Sequence, residues 1–129
     1  MANPNIAALT SVLVETVGVT LTGTAATLII NNPAASGNVL KINAIIVAFY
    51  AASGTADFTI SWHNEDDIGG TAFILVHDLV VNANNTRDLL EEGYSFYLTE
   101  NRSIGVIAAL PSPVNSIEVS ASYDIITDV

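Results

Sequence analysis

The longest apolar run of the chain, residues 39–50, constrains the fold more than any other stretch. It is rich in β-branched residues and lacks helical spacing, so it predicts a long strand. The alternation predicts that the core-facing residues of this strand are Leu40, Ile42, Ala44, Ile46 and Ala48. The opposite face of the strand becomes apolar at Ile45, Val47 and Phe49. This predicts a second covering surface there, supplied by another copy of the chain.

The other apolar segments are short, mostly alternate with polar residues and are separated by turn signals. They predict about eight strands and no long helix, although a helical turn competes with a strand at residues 86–90. Without crossover helices, this spacing favours an all-β, antiparallel β-sandwich of the jelly-roll kind. We expect an N-terminal arm and short strand over residues 1–14 and a single sandwich domain over residues 15–129.

The charge balance limits the kinds of partner. Three basic residues face thirteen acidic ones, for a net charge of −10, so the clustered lysine and arginine that phosphate binding needs are missing. We therefore expect neither nucleic acid nor an anionic membrane as a partner. Only 12% of the residues are charged, about half the usual share. A surface so poor in charge is typical of contacts between subunits.

Residues suited to catalysis are scarce. The two histidines are His63 and His77, and the chain has no cysteine. Asp78 follows His77, but neighbours on a strand point to opposite faces, so we predict that the two side chains do not face each other. Ser61 and His63 share a face without a further partner. No enzyme activity and no cofactor are expected.

Two further groups of side chains are candidate binding sites. Glu65, Asp66 and Asp67 offer oxygen ligands for calcium, but their spacing is not that of an EF-hand loop, and a solvated acidic turn is favoured. Among the aromatic residues, the core-facing register of their strands predicts packing for Trp62, Tyr94 and Phe96. Tyr97 alternates outward. A single exposed ring does not make a sugar-binding platform.

Five stretches are informative beyond their strand pattern, namely residues 36–48, 58–62, 89–94, 97–104 and 119–126. They resemble small structural proteins of tailed bacteriophages. The resemblance implies a small β-sandwich without catalytic residues that attaches to a capsid or tail, usually as a trimer or larger ring. It also implies a place in the virion, on the capsid exterior or the tail, after synthesis in the cytoplasm of a bacterial host.

The resulting expectation is a capsid decoration protein, a homotrimer that binds the major capsid protein or another virion protein and stabilises the assembled shell. We expect Ile45, Val47 and Phe49 to contact a neighbouring subunit, together with Leu9, Val12 and Val14 of the arm. A neck, tail or fibre-associated virion component is one alternative. A carbohydrate-binding β-sandwich is another.

Overall fold

The computed structural model describes residues 11–21, 23–51, 53–90, 95–109 and 116–127. These residues form strands, turns and bends, and none of them lies in a helix, so none forms an apolar helix long enough to cross a bilayer. The strands are β1 (Ser11–Leu21), β2 (Thr27–Asn32), β3 (Asn38–Tyr50), β4 (Thr55–His63), β5 (Ala72–Asn82), β6 (Asn85–Asp88), β7 (Phe96–Leu98), β8 (Arg102–Ala109) and β9 (Ser116–Thr127).

The strands form two sheets that pack face to face. The first has the order β1-β9-β3-β6, with β7 also paired to β3, and the second has the order β2-β8-β4-β5. All pairs are antiparallel. The chain crosses repeatedly between the sheets, and its first and last strands are neighbours, which is the strand order of a jelly roll. The predicted antiparallel β-sandwich is confirmed.

Strand β1 begins before the predicted domain boundary. Residues 11–14, which the sequence assigned to an N-terminal arm and short strand, do form a strand, but it is continuous with residues 15–21 and pairs with β9 along with them. They are therefore part of the sandwich. Residues 1–10, including Leu9, lie outside the described residues. At residues 86–90, where the sequence pattern fits either a helical turn or a strand, the structure has strand β6.

A β-bulge exchanges the two faces of β3. The pairing of β3 with β9 shifts between Ile42 and Ala44, which leaves Asn43 as an extra, exposed residue. Because side chains alternate with a period of two, one inserted residue moves all later side chains to the opposite face. The predicted core face is therefore wrong beyond Ile42, and Ile46 is 38% exposed.

The bulge also determines where the three residues expected at a subunit contact lie. Ile45, Val47 and Phe49 are 0%, 0% and 1% exposed, within the hydrophobic core of their own chain. Residues with no exposed surface cannot contact a neighbouring subunit, so that expectation is wrong. After the bulge, these three residues join Leu40 and Ile42 in the same core cluster, between the two sheets.

Buried Asn32 orders the connections at one end of the sandwich. Its Nδ2 donates to the carbonyl oxygens of Asn38 and Leu98, at 3.0 Å each, and its Oδ1 accepts a 2.6 Å hydrogen bond from the Ser36 hydroxyl. The side chain is thus satisfied although the residue is only 1% exposed. It ties the end of β2 to the starts of β3 and of the β7–β8 turn.

Candidate functional site

Strand β1 forms one edge of the first sheet and exposes apolar side chains. Among the described strands it pairs with β9 alone, through eleven consecutive residues without a register shift. Val12, Leu13 and Val14 are 48%, 63% and 76% exposed. Because neighbouring residues of a strand point to opposite faces, this half of β1 is apolar on both faces. Val12 and Val14 are therefore accessible, and their role in a subunit contact stays a prediction.

Strand β5 forms an edge of the second sheet and is also exposed and apolar. Within the described part of the chain it pairs only with β4. Phe73, Ile74 and Leu75 are 44%, 58% and 37% exposed. Two register shifts interrupt the pairing with β4 after Ile74, and Asp78 has a φ of 46°. Such bulges bend and twist an edge strand, so the regular part of β5 is short.

The two edge strands lie on opposite sides of the sandwich. Strand β1 ends one strand order and lies beside β2, whereas β5 ends the other order and lies beside β6. The sequence shows that both segments are apolar on both faces, but it does not show that they are edges. Edge position follows from the strand order, which pairs segments far apart in the chain.

The bulge in β5 overturns the prediction for His77 and Asp78. His77 Nδ1 lies 3.2 Å from Asp78 Oδ2, because the left-handed backbone of Asp78 breaks the alternation of the strand. Both side chains are about two-thirds exposed, at 64% and 66%. The other oxygen of Asp78 accepts a 3.4 Å hydrogen bond from the Thr59 hydroxyl. The carboxylate therefore separates the imidazole from the hydroxyl, and this order does not activate a nucleophile.

The acidic turn after β4 holds the surrounding loops together. Asp66 Oδ2 accepts a hydrogen bond from the Ala34 amide at 3.1 Å. Asp67 and Asn31 exchange two hydrogen bonds, at 2.8 and 3.0 Å. The carboxylate of Asp66 thus accepts a hydrogen bond from the β2–β3 connection, and that of Asp67 accepts one from Asn31 in β2. Among the described residues no group of three His, Cys, Asp or Glu side chains could hold a metal ion. The calcium candidate Glu65, Asp66 and Asp67 gains no support.

The same loop folds over the outer face of the second sheet. Buried Ser103 accepts a hydrogen bond from the Ile68 amide and donates one to the Glu65 carbonyl, both at 2.8 Å. Ile68 has a φ of 55°, which is rare for a β-branched residue. Its side chain lies over Gly105, where a Cβ would come within 2.9 Å of Ile68 Cγ2. This cover explains why Ser61, on the outer face, is buried.

An aromatic cleft opens beside the end of β4. Trp62 and Tyr97 line it together with Leu98, Thr99 and Arg102, and its volume is about 170 Å³. The Trp62 ring stacks on Phe73, with centroids 4.5 Å apart and planes 14° apart. The outward position of Tyr97, which is 49% exposed, is confirmed.

The predicted packing of Trp62 and Phe96 against the core is confirmed as well, although each is only partly buried. Trp62 thus packs on the core and also lines the cleft, whereas the sequence predicted only its packing. Tyr94 lies outside the described residues.

A side-chain hydrogen bond joins β1 to β9. The Tyr123 hydroxyl donates to Glu15 Oε2 at 3.2 Å. Burial raises the pKa of Tyr123 above its ordinary value, and the negative charge of Glu15 and the hydrogen bond to it raise this pKa further. The phenol is therefore neutral at physiological pH and acts as a donor.

Comparisons with known proteins assign this chain to no family. No family model matches the chain, and no curated protein matches it. A solved structure described by the words "Bacillus endospore appendages form a novel family of disulfide-linked pili" is similar at 13% identity and a TM-score of 0.48. That similarity covers 98% of this chain and 100% of the other. The present chain contains no cysteine and so forms no disulfide.

Proposed function

We propose that this chain is a structural subunit of a tailed-phage virion, a capsid decoration protein that self-associates as a trimer and stabilises the assembled shell. The main support is the apolar surface that the sandwich leaves open along β1 and β5, in a chain that carries few charges. Contiguous exposed apolar surface on a soluble domain is typical of an interaction site. The phage origin depends on the sequence resemblance.

The chemistry of the described surface also favours a binding role over catalysis. Among the described residues, His77 and Asp78 form a histidine–carboxylate contact that is solvent-exposed, and the hydroxyl of Thr59 lies on the carboxylate and not on the imidazole. His63 is the other histidine, and its buried Nδ1 has no hydrogen-bond partner among the described residues. Neither imidazole is arranged as a general base for a neighbouring hydroxyl.

A decoration protein acts by mass action. A subunit that binds the assembled shell better than its precursor stabilises the assembled state by the difference in binding free energy. Several weak contacts in one oligomer add to a firm attachment, because each contact after the first forms at a high effective concentration. The partner would be the major capsid protein or another protein of the shell.

Locating the protein in intact particles tests this proposal. We expect cryo-electron microscopy to show three-fold density on the outside of the capsid, at a copy number set by the shell lattice. Purified protein added to undecorated shells should also co-sediment with them and raise their melting temperature. Density at the neck, tail or fibres would instead support the alternative virion position. Absence from the particle would contradict both.

A carbohydrate-binding function is a second candidate, because two aromatic residues and an arginine line the same cleft. Sugar rings stack on aromatic faces, and Arg102 and Thr99 offer hydrogen-bonding groups beside Trp62 and Tyr97. A glycan array followed by calorimetry tests this function. Binding that is lost in Tyr97→Ala and kept in Tyr50→Ala would support it, since Tyr50 is equally exposed but does not line the cleft.

A further inference from the structure

We propose that copies of this chain join head to tail, with the edge of β1 in one copy lying against the edge of β5 in the next. Val12, Leu13 and Val14 would pack on Phe73, Ile74 and Leu75 of the neighbour, and β1 would extend the second sheet of that neighbour. This inference deepens the proposed function and rests on its self-association. It names the two surfaces that meet and the symmetry of the contact.

Strand β1 has few of the features that normally protect an edge strand, and Glu15 is its one charged residue. Proteins block edges with proline, lysine, bulges or short strands. Strand β1 is eleven residues long, contains no proline, lysine or arginine, and pairs with β9 without a bulge. Its residues 11–16 are all exposed. An edge of this kind is a template for a further strand, and Val12, Leu13 and Val14 supply apolar side chains on both faces of it.

The edge of β5 offers a matching but shorter surface. Residues 72–76 carry no charge, and Phe73, Ile74 and Leu75 are exposed. The register shifts and the left-handed Asp78 bend the rest of the strand away from a regular edge. A new strand can therefore pair with only a few residues of β5.

The edges of β1 and β5 are both apolar and both present in every copy, so a second copy can occupy each edge. Two copies with a net charge of −10 repel each other, so a contact between them must use surface without carboxylates. Residues 11–14 and 72–76 meet that condition. Both segments occur in every copy, on opposite sides of the sandwich, so each copy can give one edge and receive the other.

The symmetry of the contact follows from the presence of two different apolar edges. A two-fold contact of β1 with β1 would cover Val12, Leu13 and Val14 but leave Phe73, Ile74 and Leu75 in water. A contact between unlike edges covers both sets in every copy once a ring closes. A trimer with three-fold symmetry also requires unlike surfaces to meet.

Complementation between two blocked variants tests the head-to-tail contact. Val14→Lys places a charge on the β1 edge, and Ile74→Lys places one on the β5 edge. Both side chains are more than half exposed, at 76% and 58%, so folding is expected to survive, with circular dichroism as the check. By sedimentation velocity at micromolar concentration, we expect an oligomer for the wild type and a monomer for each variant alone. An equimolar mixture should form a heterodimer, because each variant keeps the edge that the other has lost.

A control variant and a second pair of variants support this experiment. Tyr50→Lys removes another exposed apolar side chain, which is 55% exposed at the end of β3, and should leave the oligomer unchanged. A second pair, Val12→Lys with Leu75→Lys, should repeat the complementation if either first variant fails to fold.

If Val14→Lys is monomeric but Ile74→Lys assembles, the contact is a symmetric one through β1 and this inference is wrong. It is also wrong if both variants assemble like the wild type, or if the mixture stays monomeric. A monomeric wild type would contradict the self-association in the proposed function as well, whereas co-sedimentation with shells tests attachment separately.

Discussion

Strands β3 and β1 are both long and apolar, but the fold treats them differently. Strand β3 has β9 on one side and β6 and β7 on the other, and its core-facing residues Ile45, Val47 and Phe49 are fully buried. Strand β1 has a described neighbour on one side alone, and Val14 is 76% exposed. The apolar content of a strand thus does not show which of its sides other strands cover. The position of the strand in the sheet order determines this.

This difference changes the structural argument for self-association. The sequence pattern assigned the apolar excess of β3 to a contact between copies. The structure places Ile45, Val47 and Phe49 in the core, and the exposed apolar residues on which the proposal now rests lie on β1 and β5. The expectation of an assembly subunit stays a proposal, and its surfaces are now Val12, Leu13 and Val14 on one edge and Phe73, Ile74 and Leu75 on the other.

The largest expected effect comes from two neighbouring substitutions in β3. Ile45→Asn should lower the free energy of unfolding by about 4–6 kcal/mol, because it removes buried apolar surface and buries an amide. Ile46→Asn should lower it by less than about 1 kcal/mol, since Ile46 is partly exposed. Asparagine is preferable to aspartate because Ile46 pairs with Asp88. Urea unfolding monitored by Trp62 fluorescence measures both values.

The uninterrupted alternation of the sequence predicts the reverse order for these two variants. A larger loss for Ile46→Asn than for Ile45→Asn would therefore show that the bulge at Asn43 is absent, and that β3 presents its other face to the core.

A second experiment compares truncations in the two strands directly. Phe49→Ala should lower the free energy of unfolding by about 3–5 kcal/mol, the usual cost of emptying a buried aromatic site. Leu13→Ala should change it by less than about 0.5 kcal/mol, because Leu13 is 63% exposed. Both variants should be unfolded in urea at low protein concentration, where self-association adds least to stability. Similar losses in the two variants would mean that the chain itself covers β1.

The smallest expected effect concerns the attachment of β1 to β9. Tyr123→Phe removes the hydrogen bond to Glu15 and should cost about 0.5–1 kcal/mol at neutral pH, since Glu15 is exposed and regains water. The raised pKa of Tyr123 also predicts a pH dependence. The folded state holds the phenol proton more tightly than the unfolded chain, whose tyrosine pKa is about 10.

The stability contributed by this proton is therefore complete below pH of about 10 and decreases as the pH rises through the folded-state pKa. Thermal melts at several pH values should show a steeper alkaline loss for the wild type than for Tyr123→Phe. Equal slopes would contradict a buried phenol hydrogen-bonded to Glu15.

Local patterns predicted well where strands are regular. Phe58, Ile60 and Trp62 alternate inward, as their spacing indicated, because β4 pairs with β8 without a bulge. The pattern failed where a bulge intervenes. One extra residue at Asn43 reversed the faces of β3, and the left-handed Asp78 brought its side chain to His77. A bulge leaves no dependable mark in a single sequence, since asparagine and aspartate also favour turns.

For the candidate surfaces, too, the sequence predicts one part and the tertiary structure determines the other. That residues 12–14 and 73–75 are apolar is plain from the sequence, whereas their exposure is not. Exposure follows from strand order, which depends on pairs such as Glu15 with Tyr123, 108 residues apart. The aromatic cleft likewise brings Trp62 of β4 beside Tyr97 of β7.

The amino-acid sequence alone determined that this protein is built of antiparallel strands, carries few charges and lacks clustered basic residues, because composition and alternation are local properties. The tertiary structure decided which face of β3 meets the core and which apolar strands remain at the edges. Both depend on pairing between distant segments, where a single inserted residue or a terminal place in a sheet changes what water can reach.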